Sequence, residues 1–268
     1  EAAARRTGIS SSSRKQKGRT LQKEAAAEYK AAFPFLQGND VLSRPMGSPG
    51  SDLILSTAAL EVLPYDFEMK NVETFSTWAT IDQSLKRCEV VAQALTPCLV
   101  ARRNRVKAVV VLPLGHVMEL WRFAAGGAAA PAAATPFPSV GWLLAAMRVR
   151  FNPKQHNTDG ELRVAVQLAV KFATRAVDAE GVVDDDGRVT AGPLRIAVCT
   201  KKRMGFWKTW DVEVAAAKAR GDGSLPALAF NRGDRAGTPV YLAMPLAEHL
   251  RLLQGRWARL HPDDSGPA

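Results

Sequence analysis

The chain has 268 residues and an apolar fraction of 47%, enough for one large domain or two small ones with cores of their own. No apolar run reaches the ~20 residues that a helical membrane span needs. Lys and Arg outnumber Asp and Glu by 36 to 26, a formal net charge of +10. That balance favours a polyanionic partner, and nucleic acid over a membrane, because the basic residues do not gather on one amphipathic helix.

Three cysteines, Cys88, Cys98 and Cys199, with no C-x-x-C spacing, argue against a disulfide framework or a zinc site and point to a reducing compartment. The stretch from Ala2 to Arg19 contains no acid and is rich in Ala, Ser, Arg and Lys. With a start at Glu1 in place of Met, it reads as the remnant of an organelle-targeting segment, a basic arm or a disordered tail. Residues 1–16 are accordingly expected to be a flexible basic tail.

In chain order, Gly18–Ala32 has helical spacing, with Leu21, Ala25, Tyr29 and Ala32 on one face, and Phe33-Pro34 ends it. A turn-rich stretch through Pro45 and Pro49 leads to a short strand, Asp52–Ser56. Ala58–Val62 reads as a helical turn, Tyr65–Asn71 as a strand and Thr74–Ala94 as an amphipathic helix with Phe75, Trp78, Ile81 and Leu85 inward. Strands Cys98–Ala101 and Ala108–Leu112 flank the basic turn Arg102-Arg103-Asn104-Arg105, and a helix over His116–Arg122 closes this unit. The run 123–139 is rich in Ala, Gly and Pro and reads as a linker. A second unit is expected over 140–257, followed by a tail to residue 268.

The second unit looks like a worn copy of the first. At a constant offset of 132, Phe75 and Trp78 fall on Trp207 and Trp210, Pro113 on Pro245 and Leu120 on Leu252. Asn231-Arg232-Gly233-Asp234-Arg235 sits where the Arg102–Arg105 turn sits, with small insertions. The same offset carries Asp52 to Asp184, Glu68 to Thr200 and Lys70 to Lys202, so the copy lacks an acid.

Strand side chains alternate, so Glu68 and Lys70 share a face while Met69 points to the core. Asp52, after the Met46-Gly47-Ser48-Pro49-Gly50-Ser51 turn, is placed to meet them at the sheet edge. Two carboxylates and an ammonium suit a hard divalent cation and the water it activates. The histidines (His116, His156, His249, His261) have no ligand spacing. No P-loop, dinucleotide fingerprint or nucleophile elbow is present.

The first unit resembles the restriction-endonuclease-like nucleases of the PD-(D/E)XK type, and within them the phage Holliday junction resolvase-like proteins. The match runs over residues 14–122. It is carried by Lys17-Gly18-Arg19, Gln22, Ser43-Arg44, Met46-Gly47, Gly50, Asp52, Leu63-Pro64, Phe67-Glu68-x-Lys70-Asn71, Glu73, Trp78, Gln83 and Arg103-Asn104-Arg105. The resemblance implies an α/β fold, a mixed sheet flanked by helices, here in tandem with a degenerate second copy. It implies Mg²⁺ (or Mn²⁺) held by Asp52 and Glu68, with Lys70 orienting or deprotonating the attacking water. Many relatives carry a further acid on the first helix, where Gln22 stands here. Phosphate contacts are expected from Arg19, Arg44, Arg102, Arg103 and Arg105. The expected function is endonucleolytic, on DNA ahead of RNA, with a pseudo-dimer inside the chain or a homodimer. The alternative is a catalytically idle, RNA-binding structural component of an organellar, mitochondrial ribosome or another large ribonucleoprotein.

Overall fold

The computed structural model describes residues 11–90, 95–124, 159–174, 188–232 and 239–262. The expected linker beyond Ala124, together with Asp184 and His156, lies outside these residues.

Helix α1 (Ser11–Ala32) begins ahead of the expected Gly18. Its first turns carry Ser, Lys and Gln with no Pro to stop them, and apolar burial starts only at Leu21. Strands β1 (Val41–Ser43) and β2 (Leu53–Leu55) form a small antiparallel ribbon. Ser56 caps α2 (Thr57–Val62), its Oγ accepting the Ala59 N–H at 3.1 Å. Then come β3 (Tyr65–Asn71), α3 (Thr77–Val90), β4 (Thr96–Arg102), β5 (Val109–Pro113) and α4 (Leu114–Ala124). The second half contains α5 (Asp159–Thr174), β6 (Val189–Ala191), β7 (Leu194–Thr200), α6 (Phe206–Arg220), β8 (Leu225–Asn231), β9 (Tyr241–Pro245) and α7 (Leu246–Leu260). Gly221, at φ 66°, ends α6 in the left-handed conformation that a residue without Cβ adopts readily.

The two units share one seven-stranded mixed sheet of order β3-β4-β5-β9-β8-β7-β6. β3 runs parallel to β4 and β7 parallel to β8; the other pairs are antiparallel. β4 and β5 are buried almost throughout, the pattern of central strands covered on both faces. One face packs on α1, α4, α5 and α7 through Leu21, Tyr29, Leu120, Leu162, Val166 and Leu252. The other packs on α3 and α6 through Trp78, Ile81, Trp207 and Trp210.

Register relates the halves through the β5–β9 pair. Tyr65 pairs with Thr96 as Leu194 pairs with Leu225, an offset of 129 (194 − 65 and 225 − 96). Val111 and Ala243, the partners of Leu99 and Leu228, lie 132 apart (243 − 111), so the segment before β9 is the longer one. The contacts across the centre are reciprocal. Trp78 Nε1 donates to Lys201 O at 3.2 Å and Trp207 Nε1 to Val72 O at 3.0 Å. Arg103 pairs with Asp211 and lies over Trp207, while Arg232 pairs with Asp82 and lies over Trp78. Leu114 N donates to Val240 O and Leu246 N to Ala108 O. Such exchange is the geometry of an isologous, two-fold contact.

The register corrects the sequence alignment of the two halves. Trp207 is the counterpart of Trp78, which the 132 offset had paired with Trp210. Glu68 corresponds to Ala197 and Lys70 to Cys199, in place of Thr200 and Lys202. Cys199, with Ala197 packed beside it, belongs to the apolar layer that holds Trp207. The partly buried Ala197 and the buried Cys199 thus stand at the register positions of Glu68 and Lys70.

Candidate functional site

The site lies along the outer edge of β3. Its chain neighbour is the segment after the Gly47–Gly50 turn, where Asp52 N donates to Phe67 O at 2.8 Å and Ser51 Oγ accepts the Phe67 N–H at 2.8 Å. Gly50 is required in that turn: φ is +114°, and a Cβ there would lie 3.2 Å from Arg44 Cζ. Arg44 Nε in turn donates to Ser51 O at 2.5 Å, tying the turn to β1. Gly50→Ala is expected to cost about 1–3 kcal/mol from the backbone conformation, measured as the shift of the urea unfolding midpoint.

The Asp52 carboxylate is held from two sides. Its Oδ2 accepts the Met69 N–H at 2.6 Å, between Glu68 and Lys70, and its Oδ1 accepts Gln22 Nε2 of α1 at 2.8 Å. Burial raises its pKa above the ordinary carboxylate value; the Met69 N–H opposes that, Glu68 adds to it, and Lys70 and Arg87 oppose it. Glu68 is 5% exposed and meets two cations, Lys70 Nζ at 2.6 Å on Oε1 and Arg87 Nη1 at 2.7 Å on Oε2. The structure therefore brings Asp52, Glu68 and Lys70 together, as the sequence predicts.

It also brings in three residues that the sequence reading missed, Asp66, Ser84 and Arg87. Asp66, 3% exposed, accepts Arg87 Nη2 and Ser84 Oγ, each at 2.7 Å. Asp66 shares the face of Glu68 and Lys70 by the same alternation rule. Arg87 and Ser84 are one helical turn apart on α3 and face it together. Burial disfavours the Arg87 charge, but the hydrogen bonds to Asp66 and Glu68 outweigh this and raise its pKa.

Whether these residues suit a divalent cation can be judged from the donors. Asp52 and Glu68 are hard oxygen donors, and Gln22 Oε1 beside Asp52 is buried without a hydrogen-bond partner. That orphaned acceptor, with the two carboxylates, fits Mg²⁺ or Mn²⁺ chemistry. Against it, both Glu68 oxygens already carry cations, so a metal would have to displace Arg87 or Lys70 from one of them. Among the described residues no group of three or more His, Cys, Asp or Glu is placed to hold a metal ion.

The predicted phosphate contacts divide. Arg102, Arg103 and Arg105 line a cleft of about 450 Å³ with Lys17, Asn71 and Asn104, at the C-terminal ends of β3 and β4. Lys17 Nζ donates to Asn104 Oδ1 at 3.0 Å, and Asn71 Nδ2 to Lys17 O at 2.9 Å. Arg105 is exposed at the tip with φ 61°, a strained position for a residue with a side chain. Arg102 and Arg103 are engaged by Glu24 and Asp211. Arg44 lines a different cleft of about 570 Å³ with Asp66, Lys86 and Arg87, and Arg19 is exposed on α1 outside both.

His116 and His249 have no ligand geometry. They belong to a buried chain of hydrogen bonds in which Tyr29 Oη meets His249 Nδ1 (3.2 Å), His249 Nε2 meets Tyr65 Oη (3.1 Å), and Tyr65 Oη meets His116 Nε2 (2.7 Å). Protein-family models, curated proteins and solved structures all yield no match to this chain.

Proposed function

We propose that the chain is a metal-dependent endonuclease of the PD-(D/E)XK type, built as a fused pseudo-dimer with one hydrolytic site. The observation that carries the reading is the convergence of Asp52, Glu68 and Lys70 on the edge of β3, with Asp52 Oδ2 bonded to the Met69 N–H between the other two. The reciprocal Trp78/Trp207 and Arg103/Arg232 contacts support descent of the two halves from one two-fold unit. Nucleic acid, DNA first, is the partner that the charge of +10 and the basic cleft support.

When bound, Mg²⁺ or Mn²⁺ supplies charge neutralisation at phosphorus and a more acidic water. Asp52 and Glu68, with Gln22 Oε1, are the oxygens that would hold it. Lys70, anchored by Glu68, keeps an N–H donor at the site edge for a phosphate oxygen or the attacking water. The Gly47–Gly50 turn and Arg44 keep Asp52 at the strand edge, and the cleft at Arg102–Arg105 holds the backbone of the strand beyond the scissile phosphate.

Asp52→Ala should lower metal-dependent cleavage of branched and linear DNA by ~10³-fold or more, measured on labelled oligonucleotides with Mg²⁺ and with Mn²⁺. Equal product from wild type and variant would sink the reading. A second reading, an idle, RNA-binding component of an organellar ribonucleoprotein, is favoured by one observation: both Glu68 oxygens are already neutralised by Lys70 and Arg87. Co-sedimentation with a large ribonucleoprotein particle, without cleavage of any substrate, would select it.

A further inference from the structure

We propose that Lys201, Lys202 and Arg203, at the C-terminal end of β7, form a second nucleic-acid backbone site in the half of the chain whose strand carries Ala197 at the Glu68 position. The inference rests on the nucleic-acid part of the function proposed above and not on hydrolysis.

The register at offset 129 identifies these residues as the counterparts of Val72, Glu73 and Thr74. The loop after the site strand has thus exchanged an apolar residue, an acid and a neutral polar residue for three cations. The same strand has exchanged Glu68 and Lys70 for Ala197 and Cys199, which pack in the apolar layer. Loss of the carboxylates and gain of cations fall on one strand and its following loop. A surface selected only for solubility has no reason to concentrate the change there.

All three side chains are exposed, while the backbone beneath them is anchored. Lys201 O accepts Trp78 Nε1 at 3.2 Å, Lys201 N donates to Asn231 O at 3.3 Å, and Met204 is buried. Among the described residues Lys201 and Arg203 form no ion pair, whereas Arg102 and Arg103 of the first half are committed to Glu24 and Asp211. A pinned loop presenting exposed cations costs little ordering when it meets a row of phosphates. Its place is next to Thr200, the two-fold equivalent of cleft residue Asn71, since Val72 accepts Trp207 Nε1 as Lys201 accepts Trp78 Nε1. The chain would therefore grip the sugar-phosphate backbone at two related ends of the sheet and carry the Glu68 carboxylate at one of them.

The test compares the full chain with the triple variant Lys201→Gln/Lys202→Gln/Arg203→Gln. A second triple variant, Lys23→Gln/Lys30→Gln/Arg259→Gln, removes equal charge elsewhere. Binding to a labelled DNA duplex and to a labelled RNA hairpin is followed by anisotropy over a salt series, with circular dichroism confirming that each variant is folded. For the loop variant, the expected result is a ~10–100-fold rise in Kd near 0.15 M salt and a salt slope shallower by ~2–3. The control should change Kd by less than ~3-fold. The same loss on RNA alone keeps the site and assigns it to RNA. Equal losses in both variants, or an unchanged salt slope, would overturn the site while leaving nucleic-acid binding intact. A wild-type chain that binds neither nucleic acid would overturn the function as well.

Discussion

Arg87→Gln is expected to lower the stability of the folded chain by about 3–5 kcal/mol, the usual cost of removing one partner from a buried ion network. Arg87 reaches Asp66 through Nε and Nη2 and Glu68 through Nη1. Both carboxylates are at most 5% exposed. Without the guanidinium, Asp66 keeps only the Ser84 hydroxyl, and Glu68 keeps only Lys70. Adding Asp66→Asn to the variant removes the stranded charge and should recover most of the loss. Urea unfolding of the single and double variants measures both. A single variant that costs less than ~1 kcal/mol would show that solvent already screens the pair. The same substitution frees one Glu68 oxygen, so it separates the structural load on Arg87 from any competition with a metal.

The second large effect is acid sensitivity. Burial lowers the pKa of His116 and of His249 from 6.5 to about 3, with Arg256 and the neighbouring imidazole adding to it respectively. Tyr29, Tyr65 and Cys98 face the pair uncharged, burial raising the pKa of each, and Glu119 lies 3.8 Å from His116 Nδ1. A folded-state pKa below the unfolded one means that the unfolded chain binds the extra protons. The stabilisation is therefore complete above pH 6.5 and falls as pH drops from 6.5 towards 3. For two such groups the loss approaches ~2.7 kcal/mol per pH unit. Denaturation midpoints measured between pH 7.5 and pH 4.5 should fall steeply, and His249→Gln should halve the dependence. A flat profile would mean that the imidazoles take up protons in the folded chain.

Much of the first half was readable from local chemistry. Alternation along Tyr65–Asn71 places Glu68 and Lys70 on one face and Met69 in the core, and the structure agrees. The same rule reaches Asp66, but no motif drew attention to it. Arg87 could not be chosen from sequence, because helical spacing tells which residues share a face of α3 and not which strand that face meets. The 132 offset misled for a physical reason. Phe75 and Trp78 are three apart, as are Trp207 and Trp210, so a slip of nearly one helical turn preserves the aromatic pattern. Strand register removes the ambiguity, and with it the apparent retention of a lysine at the second site. Helix α5 carries a legible period in Leu162, Val166, Ala169 and Val170.

The proposed enzyme has one hydrolytic site, beside a second strand that carries Ala197 and Cys199 at the positions of Glu68 and Lys70. This arrangement is tested most directly by incubating the full chain with supercoiled plasmid and Mg²⁺ and resolving the products on a gel over time. Nicked circles should accumulate, abolished by Asp52→Ala, with linear product appearing only later through independent nicks. Concerted formation of linear DNA, or supercoiled plasmid left intact with both Mg²⁺ and Mn²⁺, would contradict it.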